Sequence, residues 1–203
     1  MQEEEITNEI ILEGKIITDV RFSHSKLGRE FFIFYLEQRK DFYKNTLPII
    51  IDKNTPNFSM LEKGKFVKII GNLRSYDFIE KNKLHLKLRV FVRNIFILEN
   101  VSFLNTITLV GYLCKNVQEK AKKNNIYFLF LLAINRNYIL KQKSDYIPCI
   151  LIKKQDDKKL DKSLYKVGTK VKIVGTFKSR DYFKKDLKKR TTLEVIIKDL
   201  KLI

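Results

Sequence analysis

Leu61-Glu62-Lys63-Gly64-Lys65-Phe66-Val67-Lys68-Ile69-Ile70-Gly71 returns in altered form as Tyr165-Lys166-Val167-Gly168-Thr169-Lys170-Val171-Lys172-Ile173-Val174-Gly175. In both stretches a Gly at the fourth position breaks the chain. Apolar side chains then fall on alternate residues, Val67 and Ile69 in one, Val171 and Ile173 in the other, before a second Gly. That period of two belongs to a strand with one buried face. The copies stand 104 residues apart and run on as Asn72-Leu73-Arg74-Ser75-Tyr76 and Thr176-Phe177-Lys178-Ser179-Arg180.

Upstream, Leu47-Pro48-Ile49-Ile50-Ile51 is matched 100 residues on by Ile147-Pro148-Cys149-Ile150-Leu151. Each Pro is expected at a strand start, where a missing N–H does little harm. Asn8-Glu9-Ile10-Ile11-Leu12-Glu13-Gly14 is matched 97 residues on by Asn105-Thr106-Ile107-Thr108-Leu109-Val110-Gly111. Two aromatic-rich runs, Phe31 to Leu36 and Tyr127 to Ile134, and two closing runs, Val90 to Leu98 and Val195 to Ile203, complete the copies. The offset rises along the chain, so the second copy carries longer loops between the same elements. Helical stretches are expected near Asn57 to Glu62 and Asp157 to Tyr165, each ending shortly before a Gly. Five strands with a helix after the third is the plan of an OB barrel. The sequence therefore predicts an all-β chain of two tandem five-stranded OB-fold barrels, residues 1–100 and 101–203. The short, partly apolar junction from Glu99 to Leu104 predicts barrels packed on each other rather than tethered.

Composition narrows the function. A hydrophobic share of 44% supports packed cores, and 7 Gly with 3 Pro argue against disorder. No apolar run approaches the ~20 residues of a membrane span, and the acidic start Met1-Gln2-Glu3-Glu4-Glu5 is unlike a signal peptide. A cytoplasmic, nucleoid-associated protein is expected. The net charge of +18 calls for a polyanionic partner. It is unevenly spread: residues 1–100 hold 17 basic and 14 acidic side chains, whereas residues 101–203 hold 24 and 9. The first copy is near neutral and the second strongly basic.

The second copy resembles the bacterial single-stranded-DNA-binding protein family over nearly its whole length. The resemblance rests on Asn105 to Leu113, Ala133-Ile134-Asn135-Arg136-Asn137-Tyr138, Asp145-Tyr146-Ile147-Pro148-Cys149, the stretch from Val167 to Gly175, Lys178-Ser179-Arg180-Asp181-Tyr182 and Thr192-Leu193-Glu194-Val195. It implies base-stacking rings at Tyr138, Tyr146 and Tyr182, with a fourth family aromatic replaced near Ile152 by an aliphatic side chain. Independently of any family, stacking on Tyr holds a base whatever its identity, at roughly 1–3 kcal/mol per base. Arg136 and Arg180 each precede a ring by two residues, the spacing of one strand face. Lys178 shares the face of Arg180. Lys153 and Lys154 follow the third strand, and Lys184 and Lys185 open a basic loop between the last two strands, a region that contributes to OB-fold ligand grooves. Phe128 and Phe130 are expected in the core.

The first copy looks like a diverged member of the same family. Asp41 answers to Tyr138, Thr46 to Tyr146, Phe78 to Tyr182, and Arg93 to Lys198. Arg74, Tyr76 and Phe78 alternate along one strand and mark a weaker second site. The family's acidic C-terminal tail has no counterpart in the closing Lys198-Asp199-Leu200-Lys201-Leu202-Ile203, so recruitment of replication or recombination proteins by that route is not expected. Two OB folds per chain imply a homodimer if the family's four-fold assembly is kept; a monomeric pair is the alternative.

Catalytic and metal chemistry find no footing. His24 and His85 lie apart and read as exposed strand or loop residues. Cys114 and Cys149 form no C-x-x-C pair and read as reduced thiols. No phosphate loop or dinucleotide fingerprint occurs. Asp156-Asp157 reads as a pair of helix-start carboxylates. The chain is expected to be a non-enzymatic, cofactor-free binder of single-stranded DNA in replication, recombination or repair. A primosome-like adaptor with weak nucleic-acid binding, or an RNA binder, is the alternative.

Overall fold

The computed structural model describes residues 7–40, 43–80, 83–136, 143–157, 160–183 and 189–203. The first repeat supplies β1 (Asn8–Ile16), β2 (Arg21–Lys26), β3 (Arg29–Lys40), β4 (Tyr43–Asp52), β5 (Phe66–Glu80) and β6 (Lys83–Leu98). The second supplies β7 (Asn105–Leu113), β8 (Gln118–Lys122), β9 (Asn125–Asn135), β10 (Ser144–Lys154), β11 (Lys170–Phe183) and β12 (Lys189–Leu202). The first barrel runs β2-β3-β4-β6-β5-β1 and closes where β1 returns to β3, Ile16 opposite Leu36. The second runs β8-β9-β10-β12-β11-β7 and closes where β7 meets β9, Leu113 opposite Leu132. Each is an OB barrel. Its first strand is broken in two, which adds the short β2 and β8 to the five strands expected.

The prolines are better explained by pairing than by strand ends. Pro48 and Pro148 lie inside β4 and β10, not at their starts. Among the described residues, β4 meets its parallel neighbour β6 only at Ile49 and Ile50, and β10 meets β12 only at Cys149 and Ile150. Up to the Pro each strand is an edge on that side, so no ladder N–H is wanted there.

The helical stretches shrink to single 3-10 turns, Phe58–Met60 and Lys162–Leu164. Asn57 enters the first with φ of 66° and no side-chain cap. Asp161, rather than the expected Asp156-Asp157, caps the second by accepting from Ser163 N. Asp157 instead accepts from Lys154 N at 2.9 Å in the turn after β10.

Alternation fills both cores. Ile10, Leu12, Phe34, Leu36, Ile49, Val67 and Ile69 are buried in the first barrel; Ile107, Leu109, Phe128, Phe130, Leu132, Val171 and Ile173 in the second. Gly71 and Gly175, equivalent in the repeats, allow the closest strand approaches. A Cβ at either would lie 2.3 Å from a carbonyl oxygen, of Phe91 and Ile196 respectively.

Compactness divides the chain differently from the repeats. One compact unit holds Glu9–Thr106 together with Lys178–Leu193, and the other holds the chain up to Asn8, Ile107–Phe177 and Glu194–Ile203. The end of the β11–β12 hairpin thus belongs to the unit of the first repeat. Among the described residues no helix is long and apolar enough to cross a membrane.

Candidate nucleic-acid interface

β10 buries Asp145, Ile147 and Cys149 and turns the residues between them outward. Tyr146 is therefore 42% exposed, and Ile152, on the same face, stands in the open without a ring. Arg136 lies one residue past the end of β9 and turns inward. Its Nε donates to Asp145 Oδ2 at 2.9 Å and its Nη2 to Asp145 Oδ1 at 2.6 Å, a bidentate pair with both partners largely buried. Arg136 N also donates to Lys143 O at 2.9 Å, and Ser144 Oγ to Asn135 Oδ1 at 2.8 Å. These bonds close the base of the β9–β10 hairpin beside Tyr146. Tyr138 lies outside the described residues. Lys153 is half-buried and Lys154 exposed at the end of β10.

On β11, Tyr182 is 37% exposed, Arg180 is exposed and Lys178 half-buried. They alternate with Ser179 and Asp181, so the strand presents two different faces. Lys184 and Lys185 lie outside the described residues. Tyr146, Lys153, Lys154 and Arg136 fall in one compact unit, and Lys178, Arg180 and Tyr182 in the other.

In the first repeat the β5–β6 register sets Arg74 opposite Arg89, Tyr76 opposite Lys87 and Phe78 opposite His85. The Arg74 guanidinium sits 3.9 Å from the centroid of Phe91, and that of Arg89 lies 5.6 Å from the centroid of Tyr76. Cations and rings interleave on one face, as the alternation of Arg74 and Tyr76 foretells, but half of the cations come from β6. The side chain of Phe78 is outside the described residues. Arg93 forms an ion pair with Glu9. His24 is half-buried rather than exposed, its ring stacked on Phe31 at 5.0 Å. Burial pushes the His24 pKa down from its usual value, with Arg89 and Lys26 adding repulsion.

Sequence reasoning passed over Tyr35, Lys44, Lys87 and Arg89. They line a cleft of about 580 Å³ within the unit of the first repeat, together with Thr46, Ser179 and Asp181. The signal for Lys87 and Arg89 was present in the alternation of β6, but only the pairing with β5 shows what they face. Among the described residues no group of three or more His, Cys, Asp or Glu is placed to hold a metal. Cys149 is fully buried, which drives its thiol pKa up.

Two closed barrels in one chain, with tyrosines and cations on their outer strands, define a tandem OB-fold protein. Residues 104–203 match the model of the single-strand binding protein family. The match coincides with the second repeat. Among solved structures, the wild-type single-stranded DNA binding protein from Thermus aquaticus is similar, with a TM-score of 0.76 at 14% identity, over 97% of this chain and 92% of that one. A deletion mutant of the same protein gives a TM-score of 0.76 at 14% identity, over 97% of this chain and 94% of its own. At that identity the likeness speaks for the fold, both barrels included. The dimeric N-terminal domain of PriB from Thermoanaerobacter tencongensis is 40% identical over 46% of this chain and 98% of its own, with a TM-score of 0.38. No curated protein matches the chain in sequence.

Proposed function

We propose that the chain binds single-stranded DNA without reading its sequence, in replication, recombination or repair. Bases stack on Tyr138, Tyr146 and Tyr182, and phosphates are held by Lys153, Lys154, Lys178, Arg180, Lys184 and Lys185. The observation that carries this is the exposed ring of Tyr146, on a family-matched strand whose inward residues are core. A π platform of this kind accepts any unpaired base. Arg136, committed to Asp145, positions the hairpin rather than a phosphate. Arg93, paired with Glu9, contributes little charge. Arg74, Tyr76 and Phe78 form the weaker site on the first repeat. Two barrels per chain make a homodimer the natural route to four, and the protein works on DNA in the cytoplasm.

Fluorescence anisotropy with labelled oligo(dT), oligo(rU) and a duplex of equal length, at two salt concentrations, tests this. Tight, salt-sensitive binding to oligo(dT) over both competitors is expected. Preference for oligo(rU) would make the chain an RNA binder. Weak binding to all three would turn attention to a protein partner.

A further inference from the structure

The β3–β4 register pairs Tyr35 with Pro48 and Glu37 with Thr46, while the β9–β10 register pairs Leu131 with Pro148 and Ala133 with Tyr146. Tyr35 and Leu131 are therefore equivalent, as are Thr46 and Tyr146. Within these four positions each barrel carries one ring, at opposite ends of a diagonal. Where the first repeat loses the ring at Thr46, it gains one at Tyr35, 41% exposed. Diagonal neighbours lie ~7–8 Å apart, well within the reach of an aromatic side chain.

The surroundings of Tyr35 suit a nucleotide. Its cleft of about 580 Å³ falls within the ~300–1,000 Å³ usual for small-ligand sites. Three cations line it, Lys44, Lys87 and Arg89, against the single carboxylate of Asp181. Lys44 is paired with Glu37 at 2.7 Å, and Asp181 Oδ1 accepts from Thr191 Oγ1 at 2.6 Å. Arg89 stands directly across from Arg74. Like charges so opposed cost stability. A phosphate beside them relieves that cost.

We infer that this cleft is a second nucleotide site of the single strand, with a base on Tyr35 and its phosphate between Lys87 and Arg89. The inference rests on the reading of the chain as a single-strand binder. It extends the first repeat's binding from Arg74 and Tyr76, which stand opposite Arg89 and Lys87, into a groove that Ser179 and Asp181 also line. On β11 these two residues alternate with Lys178, Arg180 and Tyr182, so the hairpin serves the cleft with the opposite face.

The test compares the full-length chain with Tyr35→Leu, Tyr35→Phe and the double variant Lys87→Ala/Arg89→Ala on a long oligo(dT). Leu stands at the equivalent position of the second repeat, so Tyr35→Leu keeps the fold, which a thermal melt verifies. Tyr35→Leu should weaken binding roughly 5- to 150-fold, while Tyr35→Phe binds as the wild type. The double variant should flatten the log–log salt slope by about 0.7, for the one phosphate no longer neutralised. If the wild type binds and all three variants match it, the cleft assignment falls while single-strand binding stands. If the wild type itself does not bind, the reading beneath the inference falls with it.

Discussion

Ser179 donates two hydrogen bonds to Asn45, 134 residues away in the chain. Asn45 Oδ1 accepts from Ser179 N at 2.7 Å and from Ser179 Oγ at 3.0 Å, and Ser179 Oγ in turn accepts from Thr46 N at 2.8 Å. Asn45 Nδ2 donates to Gln38 Oε1 at 3.0 Å, where Asn105 Nδ2 also donates at 2.7 Å. Gln38 Nε2 donates to the carbonyls of Glu13 and Leu104, both at 2.8 Å. A buried polar network is stabilising only while every member is satisfied. Asn45→Ala takes the acceptor from Ser179 N and Oγ, while Gln38 keeps Asn105, Glu13 and Leu104, so urea denaturation should show a loss of about 1–3 kcal/mol. Ser179→Ala should cost less, because Thr46 N is nearer solvent.

Tyr146→Ala and Tyr182→Ala are each expected to weaken binding to oligo(dT) by about 1–3 kcal/mol without lowering the melting temperature. Both rings are more than one-third exposed, so their removal leaves the cores intact. Anisotropy titration beside a thermal melt reads the two effects apart.

Arg136 and Lys178 should behave in opposite ways. Removing Arg136 leaves Asp145 buried without its bidentate partner, a loss of about 3–5 kcal/mol in denaturant unfolding. Lys178→Ala should leave stability within about 0.5 kcal/mol and reduce the salt slope of binding by about 0.7. Unchanged stability in Arg136→Ala would mean that the pair does not hold the hairpin.

Gly71→Ala and Gly175→Ala should each destabilise by about 1–3 kcal/mol or more, since a Cβ 2.3 Å from a backbone oxygen forces strands apart. Gly168→Ala has open space around it and suffers only its φ of +88°, a strain of about 1–2 kcal/mol. Chemical denaturation of the three variants gives the ranking.

His24 makes stability depend on pH. Its folded pKa lies below the ordinary 6.5 because burial, and then Arg89 and Lys26, disfavour the imidazolium. The unfolded chain then binds the extra proton first, so this contribution is complete above pH 6.5 and is lost as pH falls towards the folded pKa. Stability measured from pH 7.5 down to pH 5 should fall less steeply in His24→Gln than in the wild type, by the share that His24 contributes.

Much of the fold was legible because a strand declares itself every second residue. Val67 and Ile69 against Val171 and Ile173 show the repeat, and its strand order points to the barrel. Pro48 and Pro148 were seen as equivalent, but their reason lies in the parallel pairing that begins one residue later. The helical stretches misled because polar residues before a Gly resemble a helix end, while too few apolar positions follow to hold more than a 3-10 turn. At the proposed site, family position points to Tyr146 and Tyr182, and the structure leaves both exposed. The spacing of Arg136 two residues before Tyr138 suggests a shared outer face, because the sequence does not show that Asp145, nine residues on, turns back to meet it.

By itself, then, the sequence determined the two barrels, their strand order, the basic second half and the tyrosines of the family pattern, all of which depend on local period and short-range order. Only the tertiary structure decided that an exposed Tyr35 stands diagonal to Thr46, that Lys87 and Arg89 share its cleft, and that residues 178–193 join the unit of the first repeat. Those outcomes depend on which strands pair, and in what register, between residues tens to more than a hundred positions apart. Alternation says that a side chain faces outward; the register alone says what it faces.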